Sequence, residues 1–529
     1  MLNPRTTSWR KLPFTALILV LGLGLGACSR GLIATVGPDY EEQKPSVASR
    51  WQAPQPDVRL AHSGNPSELR TWWHQFDDPA LLRLIEASQV VSSGVADARA
   101  RIEDARADMA TAISQGLPKL DSQVDIVRAR TTFGSPPFDW TRYQAGVQSN
   151  WEVDLFGGIS RQREAALGSL SARHNAWHDA RVAVAVEVAN AYVQYRYCEI
   201  LLRIAEADAH SRKQSARLVE MAEIAGLRPP SDLSLAKASQ ADGSEQWIRQ
   251  NGVCESSVKG LVSLSGLSET EVRHLLKHPE TNIGRLPEPP KFRLTGLAAE
   301  TLMQRPDVRA AEQQVAEASA RIGVAEARRY PRLSLSGNIT PQLQTVSGAS
   351  LFSPYTAGAA GAASAATYFA NTWSIGPTLN LPLFDSGKRI ADVEAAEIAY
   401  QAAKSRFQSV ARTAAKEVEV ALVRLMTSEA RLPEARLAEA GYQKNFTATD
   451  HLYRAGFGSL LELEQARRQT LLARRSLADL EQERVAAWIA LYRAAGGGWH
   501  DKPDHPPEIP LGKDPGYPLT QQIPTDGRP

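Results

Sequence analysis

Two long runs of equal length, 158–226 and 387–455, constrain this chain more than any other feature. In the later run an apolar or small residue recurs every three or four positions, through Ile390, Val393, Ala396, Tyr400, Ala403, Phe407, Val410, Ala414 and Val418. That spacing draws a packed stripe along one helix face. At about 1.5 Å per residue each run extends roughly 100 Å, far beyond the width of an ordinary globular domain. Pro433 and Gly441 predict a bend or break in the second rod.

Each run is entered from alternating segments. Strands are predicted near 118–130 and 143–155 and again near 332–340 and 372–383, each close to the length that crosses a membrane as a β-strand. Pro377 and Pro382 require a strand end, an irregularity or an edge-like setting for the fourth. Gly134, Pro136 and Pro137 predict a loop between the first two strands, and an Ala, Ser and Gly-rich loop is expected over 341–371. A helix is expected over about 79–115, and Trp72, Trp73 and Phe76 are expected to pack against neighbouring rods. Gly226 and Gly456 end the rods, each followed by a returning helix. Ala236 and Ala466, Leu261 and Leu491, Leu264 and Ala494, and Gly266 and Gly496 answer one another at a constant offset of 230, so the chain is read as an internal duplication. The fold class is a mixed α/β membrane protein with duplicated long helical hairpins and four membrane strands per protomer. Four strands cannot close a barrel alone, and an open edge in lipid leaves backbone groups unpaired. Several subunits must therefore share one barrel.

The predicted domain order is an export signal over 1–27, an extended arm over 28–70, a first repeat over 71–286, a second repeat over 287–498 and a flexible Pro-rich tail over 499–529. Arg5, Arg10 and Lys11 precede a short apolar stretch, and Leu25-Gly26-Ala27-Cys28 resembles a bacterial lipobox. Cys28 is thus expected to carry a covalent lipid. Cys198 and Cys254 are expected to be two buried thiols, with a disulfide as the alternative. A formal charge of +2, dispersed along the chain, leaves no basic footprint for nucleic acid. The pairs His174 and His178, and His274 and His278, lack a third ligand in an established metal motif, and no phosphate-cradling glycine loop is present, so neither an enzyme nor a cofactor is expected.

Closure of a shared passage is expected near the helix returns. Repetition around a symmetric assembly turns a lumen carboxylate into a ring that attracts cations, so Glu462 and Asp232 are candidate gate residues. Helix-start roles account for the same two positions. Leu460 and Leu461 are candidates for an apolar constriction, and rod packing is their alternative.

Together with the lipobox, Gly37-Pro38-Asp39-Tyr40, Trp72-Trp73 with Phe76-Asp77-Asp78-Pro79, Arg305-Pro306-Asp307-Val308-Arg309 and Leu491-Tyr492-Arg493-Ala494-Ala495-Gly496-Gly497-Gly498-Trp499 occur in an informative order. The chain resembles the bacterial outer-membrane efflux channel family, in particular the lipoprotein subgroup of tripartite multidrug exporters. The resemblance implies a homotrimer sharing a 12-strand β-barrel in outer-membrane lipid, continued by a long periplasmic α-helical barrel. It also implies a periplasmic adaptor protein contacting the turns at Gly226, Gly456 and Gly458, and an inner-membrane energy-coupled transporter supplying the driving force for small toxic compounds. Glu462 falls where relatives often carry a lumen acid, whereas Gln465 replaces a second frequently acidic position. A protein-secretion channel and a structural outer-membrane lipoprotein are the alternatives.

Overall fold

The computed structural model describes residues 34–48, 50–53, 72–131, 138–278, 283–288, 298–347 and 366–498. The export signal, Cys28 and the Pro-rich tail lie outside the described residues. After a 3₁₀ turn at Trp72–Phe76, the first series of elements is α1 (Pro79–Val91), α2 (Ser93–Ser114), β1 (Lys119–Thr131), β2 (Phe138–Val153), α3 (Gly158–Ile224), α4 (Pro230–Ser265) and α5 (Glu269–Leu276). The second is α6 (Ala298–Met303), α7 (Pro306–Ala327), β3 (Arg332–Ser347), β4 (Ala366–Asn380), α8 (Lys388–Arg454) and α9 (Leu460–Ala494). Equivalent helices agree in length: α2 and α7 have 22 residues each, α3 and α8 have 67, and α4 and α9 have 36 and 35. The order and the lengths carry the duplication.

Two compact units divide the chain. The first takes residues 1–44, 100–173 and 310–409, and the second takes 45–99, 174–309 and 410–529, so α3 and α8 each begin in the first and continue into the second. In the first unit β1 to β4 form one antiparallel sheet in the order β1-β2-β3-β4. Among the described residues β1 and β4 each lack a strand on their outer side. Pro382 follows the end of β4 at Asn380, a setting a missing N–H tolerates, and Pro377 lies within β4, the outer strand of the single chain's sheet among the described residues.

Several expectations require correction. The second rod does not break, because α8 runs unbroken through Pro433 and Gly441. Proline removes one hydrogen bond from a helix interior, and the long segments on either side hold the helix together. The helix expected over 79–115 is two helices, because Ser92 ends α1 and starts the next, its carbonyl accepting from the Ala96 N–H at 3.0 Å. Serine competes for backbone groups and favours such caps. Within the loop expected over 341–371 the described residues are strand: β3 continues to Ser347 and β4 starts at Ala366. Gln342 and Gln344 pair with Gln144 and Arg142 of β2, and the ladder lapses only where Ala145 and Gly146 face Pro341 and Thr340, with the register unchanged beyond them. Cross-strand pairing overrode a loop-like composition. The cysteines are also corrected: Cys198 and Cys254 form a disulfide between α3 and α4, with Cα atoms 5.5 Å apart.

The second unit holds the aromatic core. Trp72 stacks on Trp488 with ring centroids 4.0 Å apart, and Trp73 meets the edge of Tyr492 at 4.6 Å. Asp78 caps α1 and accepts a hydrogen bond from the Tyr192 hydroxyl, which in turn accepts from Arg196 at 2.9 Å. Arg305 is 4% exposed, pairs with Asp307 at 2.7 Å and Glu417 at 2.8 Å, and donates to the Ala494 carbonyl at the end of α9. The two motifs noted around Arg305 and Leu491 therefore meet as a helix-terminus lock.

Candidate functional site: a two-faced sheet and paired helix tips

Alternation along a strand sends successive side chains to opposite faces, and the registers carry that alternation across all four strands. One face presents Leu120, Val124 and Ile126 of β1, Tyr143 and Val147 of β2, Leu335, Ile339 and Leu343 of β3, and Phe369, Trp373, Ile375 and Leu379 of β4. The other presents Asp121, Gln123 and Asp125, then Gln144, Gln148 and Asn150, then Ser336, Asn338 and Gln342, and finally Thr372, Ser374 and Thr378. Both faces are open in the single chain, and the apolar one is left uncovered: Leu120, Val124 and Trp373 are 74, 75 and 71% exposed. In water that pattern is costly, because apolar burial is worth about 25 cal/mol per Å². From Leu333 to Leu343 the apolar column of β3 spans ten steps. At about 3.3 Å per step and a tilt of about 40°, this is close to 25 Å, the height of the apolar band on a membrane barrel. No described helix is long and apolar enough to cross a membrane.

Asp154 ends the sheet's passage into α3, where it accepts from the N–H groups of Ile159 and Ser160. Beside it runs the start of the described chain. Ala34 and Val36 donate to the Leu155 and Phe156 carbonyls at 3.2 and 3.1 Å, and Arg161 binds the Val36 and Gly37 carbonyls and the Asp39 carboxylate. Tyr40 donates to Glu312. Gly37, at φ +83°, lies so close to Gly323 that a Cβ would stand 2.4 Å from its Cα. These contacts give the Gly37-Pro38-Asp39-Tyr40 motif its role: it pins the arm.

In the second unit the two helix returns are near copies. Gly226 and Gly456 are left-handed, at φ +72° and +84°, and the N–H groups of Leu227 and Phe457 reach back to Ala222 and Leu452. This is the glycine-ended helix stop. Leu227 and Phe457 are 77 and 85% exposed at the matching position just beyond each glycine. Pro230 opens α4 at its first position, a favoured place for proline, whereas Ser459 caps α9 in a reciprocal box with Glu462. Glu462 is exposed, and the Ser459 N–H and hydroxyl hold its carboxyl below the usual range. Asp232 stands at the equivalent third position of α4. It makes no cap, contrary to its helix-start reading, because Pro229 occupies the capping position, and it pairs instead with Arg228 at 3.6 Å. Leu461 is exposed, but Leu460 is buried with Ala216, Val219, Ala236, Tyr453 and Leu463, which takes it out of an open constriction in this protomer. Gly458 offers its carbonyl to Arg228 at 3.4 Å, linking the two returns.

Behind that core lies a charge cluster that no sequence signal singles out. Arg467, 2% exposed, binds Glu464 and the Ser215 hydroxyl and lies 3.9 Å from Asp208, which pairs with Arg212 at 2.8 Å. Burial pushes the Asp208 carboxyl up and the Arg467 guanidinium down, so desolvation outweighs the pairing at both. The disulfide was legible in principle. Cys198 and Cys254 stand equally far before and after Gly226 along the chain, and a helical hairpin turning at that glycine brings such positions together.

The outer membrane efflux protein family matches residues 84–267 and 297–497. The chain is 26% identical over 501 residues to the solvent efflux pump outer membrane protein SrpC of Pseudomonas putida, covering 93% of this chain and 98% of that protein. It is 28% identical over 491 residues to Nodulation protein T of Rhizobium leguminosarum bv. viciae, covering 91% and 92%. Among solved structures, the outer-membrane channel OprN superimposes with a TM-score of 0.73 at 28% identity, over 88% of this chain and all of that one. The Campylobacter jejuni CmeC outer membrane channel superimposes with a TM-score of 0.75 at 20% identity, over 89% and 96%. With its two-faced sheet, its duplicated hairpins and this match across both repeats, the chain belongs to the outer membrane efflux protein family and is a non-catalytic outer-membrane channel for efflux.

Proposed function

We propose that three copies of this chain close a 12-strand barrel through their β1 and β4 edges and form the exit duct of a tripartite pump for small toxic compounds. The observation that carries this reading is the open sheet with an exposed apolar face and a polar opposite face. Three polar faces together line a passage, and three apolar faces meet lipid. Energy comes from an inner-membrane transporter, reached through a periplasmic adaptor protein. Exposed Leu227 and Phe457, beside Gly226, Gly456 and Gly458, offer that adaptor apolar knobs on rigid turns. Glu462 and Asp232, the third residues of the two return helices, with exposed Leu461 beside Glu462, are the candidate lumen gate. Relatives are named for solvent, toluene and antibiotic efflux, which favours small molecules over protein cargo.

Cys28 is the proposed lipid anchor. Ala34, six positions further on, is bonded to the strand-to-helix passage at Leu155. At most about 3.5 Å per residue, that is a reach of about 20 Å, enough for acyl chains to enter the leaflet beside the sheet. Deleting the gene in a host expressing the cognate transporter should raise intracellular retention of at least one toxic small compound. Unchanged retention across a broad panel, with assembly verified in the complemented strain, would count against efflux.

A further inference from the structure

The apolar face of the sheet ends sharply on the side away from the passages into α3 and α8. Its last apolar row, read across the registers, is Ile126, Tyr143, Leu343 and Phe369. Two residues further, the same columns carry Arg128, Thr141, Thr345 and Thr367, and two further again Arg130 stands opposite Asp139. Both arginines therefore project on the lipid-facing side, one step and two steps beyond the apolar band. Arg128 is exposed and has no ion-pair partner among the described residues. Arg130 is 69% exposed and only loosely paired with Asp139, at 3.5 Å.

A guanidinium on the outward face of a membrane strand is destabilising near the bilayer midplane and tolerated at the interface. At that level it meets headgroups, and its planar fork suits phosphate oxygens, which it binds in bidentate fashion. Aromatic Tyr143 and Phe369 in the row below fit the girdle that marks such an interface. The threonine row contributes short hydroxyls rather than competing carboxylates, so Asp139 is the one acidic side chain facing the pair from these rows.

We propose that Arg128 and Arg130 form a binding pair for the phosphate groups of lipids in the leaflet on that side of the membrane. This rests on the reading of the sheet as a membrane wall. Phosphorylated headgroups then become part of the barrel's outer rim, and Asp139 sets how much of Arg130's charge they meet.

The test is native mass spectrometry of the purified full-length assembly in detergent containing either diphosphoryl lipid A or its dephosphorylated counterpart. Wild type should retain the phosphorylated lipid preferentially. Arg128→Gln with Arg130→Gln should reduce that retention at least about fivefold, from the roughly fivefold that each basic residue contributes near an anionic surface, and leave the dephosphorylated lipid unaffected. Asp139→Asn should raise it. Equal retention of both lipids by wild type, unchanged retention in the double variant, or displacement of the lipid by millimolar inorganic phosphate would each overturn the assignment. In the same preparations, lipids brominated along their chains should quench Trp373 on the apolar face. If Trp373 is quenched while retention ignores the substitutions, the arginine assignment alone falls; if Trp373 is not quenched, the membrane-wall reading falls with it.

Discussion

Cys198 and Cys254 are bonded across α3 and α4, whereas the corresponding positions of the second repeat are Ser428 and Arg484. One hairpin of the duplicated pair is stapled, and the other is held by packing and by non-covalent pairs between its helices, among them Arg431 with Glu483 at 3.0 Å and Arg474 with Glu439 at 3.3 Å. The bond closes a loop of 56 residues, which in the chain-entropy account is worth on the order of 4 kcal/mol. Cys198→Ser with Cys254→Ser should therefore lower the denaturation midpoint and speed proteolysis within 174–265. Proteolysis mapped by mass spectrometry, with cleavage in α8 and α9 accelerated equally, would contradict a local staple.

Arg467 and Asp208 make unequal contributions to the helix tips. Arg467→Ala leaves two carboxylates facing a buried site, and breaking a buried pair in this way costs about 3–5 kcal/mol. Asp208→Asn should cost less, because burial already raises the Asp208 carboxyl above its ordinary range despite two nearby arginines. Stability from that raised pKa is present at low pH and is lost as pH rises through the folded value. The cost of Asp208→Asn should thus grow as pH falls through the raised value toward the ordinary carboxylate range, because wild type regains stability there and the asparagine variant does not, as read by chemical denaturation of the assembled protein.

Gly456 and Gly458 stand close together at one return but resist substitution for different reasons. At Gly456 a Cβ meets nothing within 4 Å, so the left-handed φ of +84° is the whole cost, about 1 kcal/mol for alanine and less for asparagine. At Gly458 a Cβ would stand 3.1 Å from the Tyr453 backbone nitrogen. Gly456→Asn should be tolerated better than Gly456→Ala, while alanine and asparagine at Gly458 should be equally disruptive. Thermal unfolding of the four variants checks this order.

On the proposed lumen placement, Glu462→Gln should reduce cation block and cation preference of reconstituted channels. Ser459 supplies the hydrogen bonds that lower the Glu462 pKa, so wild-type preference should persist as pH falls through the ordinary glutamate range and vanish only below it. Ser459→Ala should move that loss to higher pH. Conductance titrations that coincide for wild type and both variants would remove Glu462 from the gate.

Much of this architecture was legible because its signals are local. The helical stripe from Ile390 to Val418 fixed a rod, and the matched glycines Gly226 and Gly456 exposed the duplication. Strand ends were not legible, because the Gln342–Ser347 stretch becomes strand only through pairing with Asp139–Gln144, a distant part of the chain. Arg467 was hidden for another reason. A buried arginine in a helix rich in arginine and glutamate looks the same as its solvated neighbours until the facing Asp208 and Ser215 are placed.

The most direct test of the shared barrel is disulfide crosslinking between its open edges in the native membrane. Gln123 on β1 would be replaced by cysteine and combined with a cysteine scanned over 372–376 on β4, in a chain lacking Cys198 and Cys254. Oxidation should yield a covalently closed trimer on non-reducing gels at one register of the scan. Only monomer-sized or dimer-sized products across the whole scan, from protein that is properly inserted, would contradict a three-copy barrel.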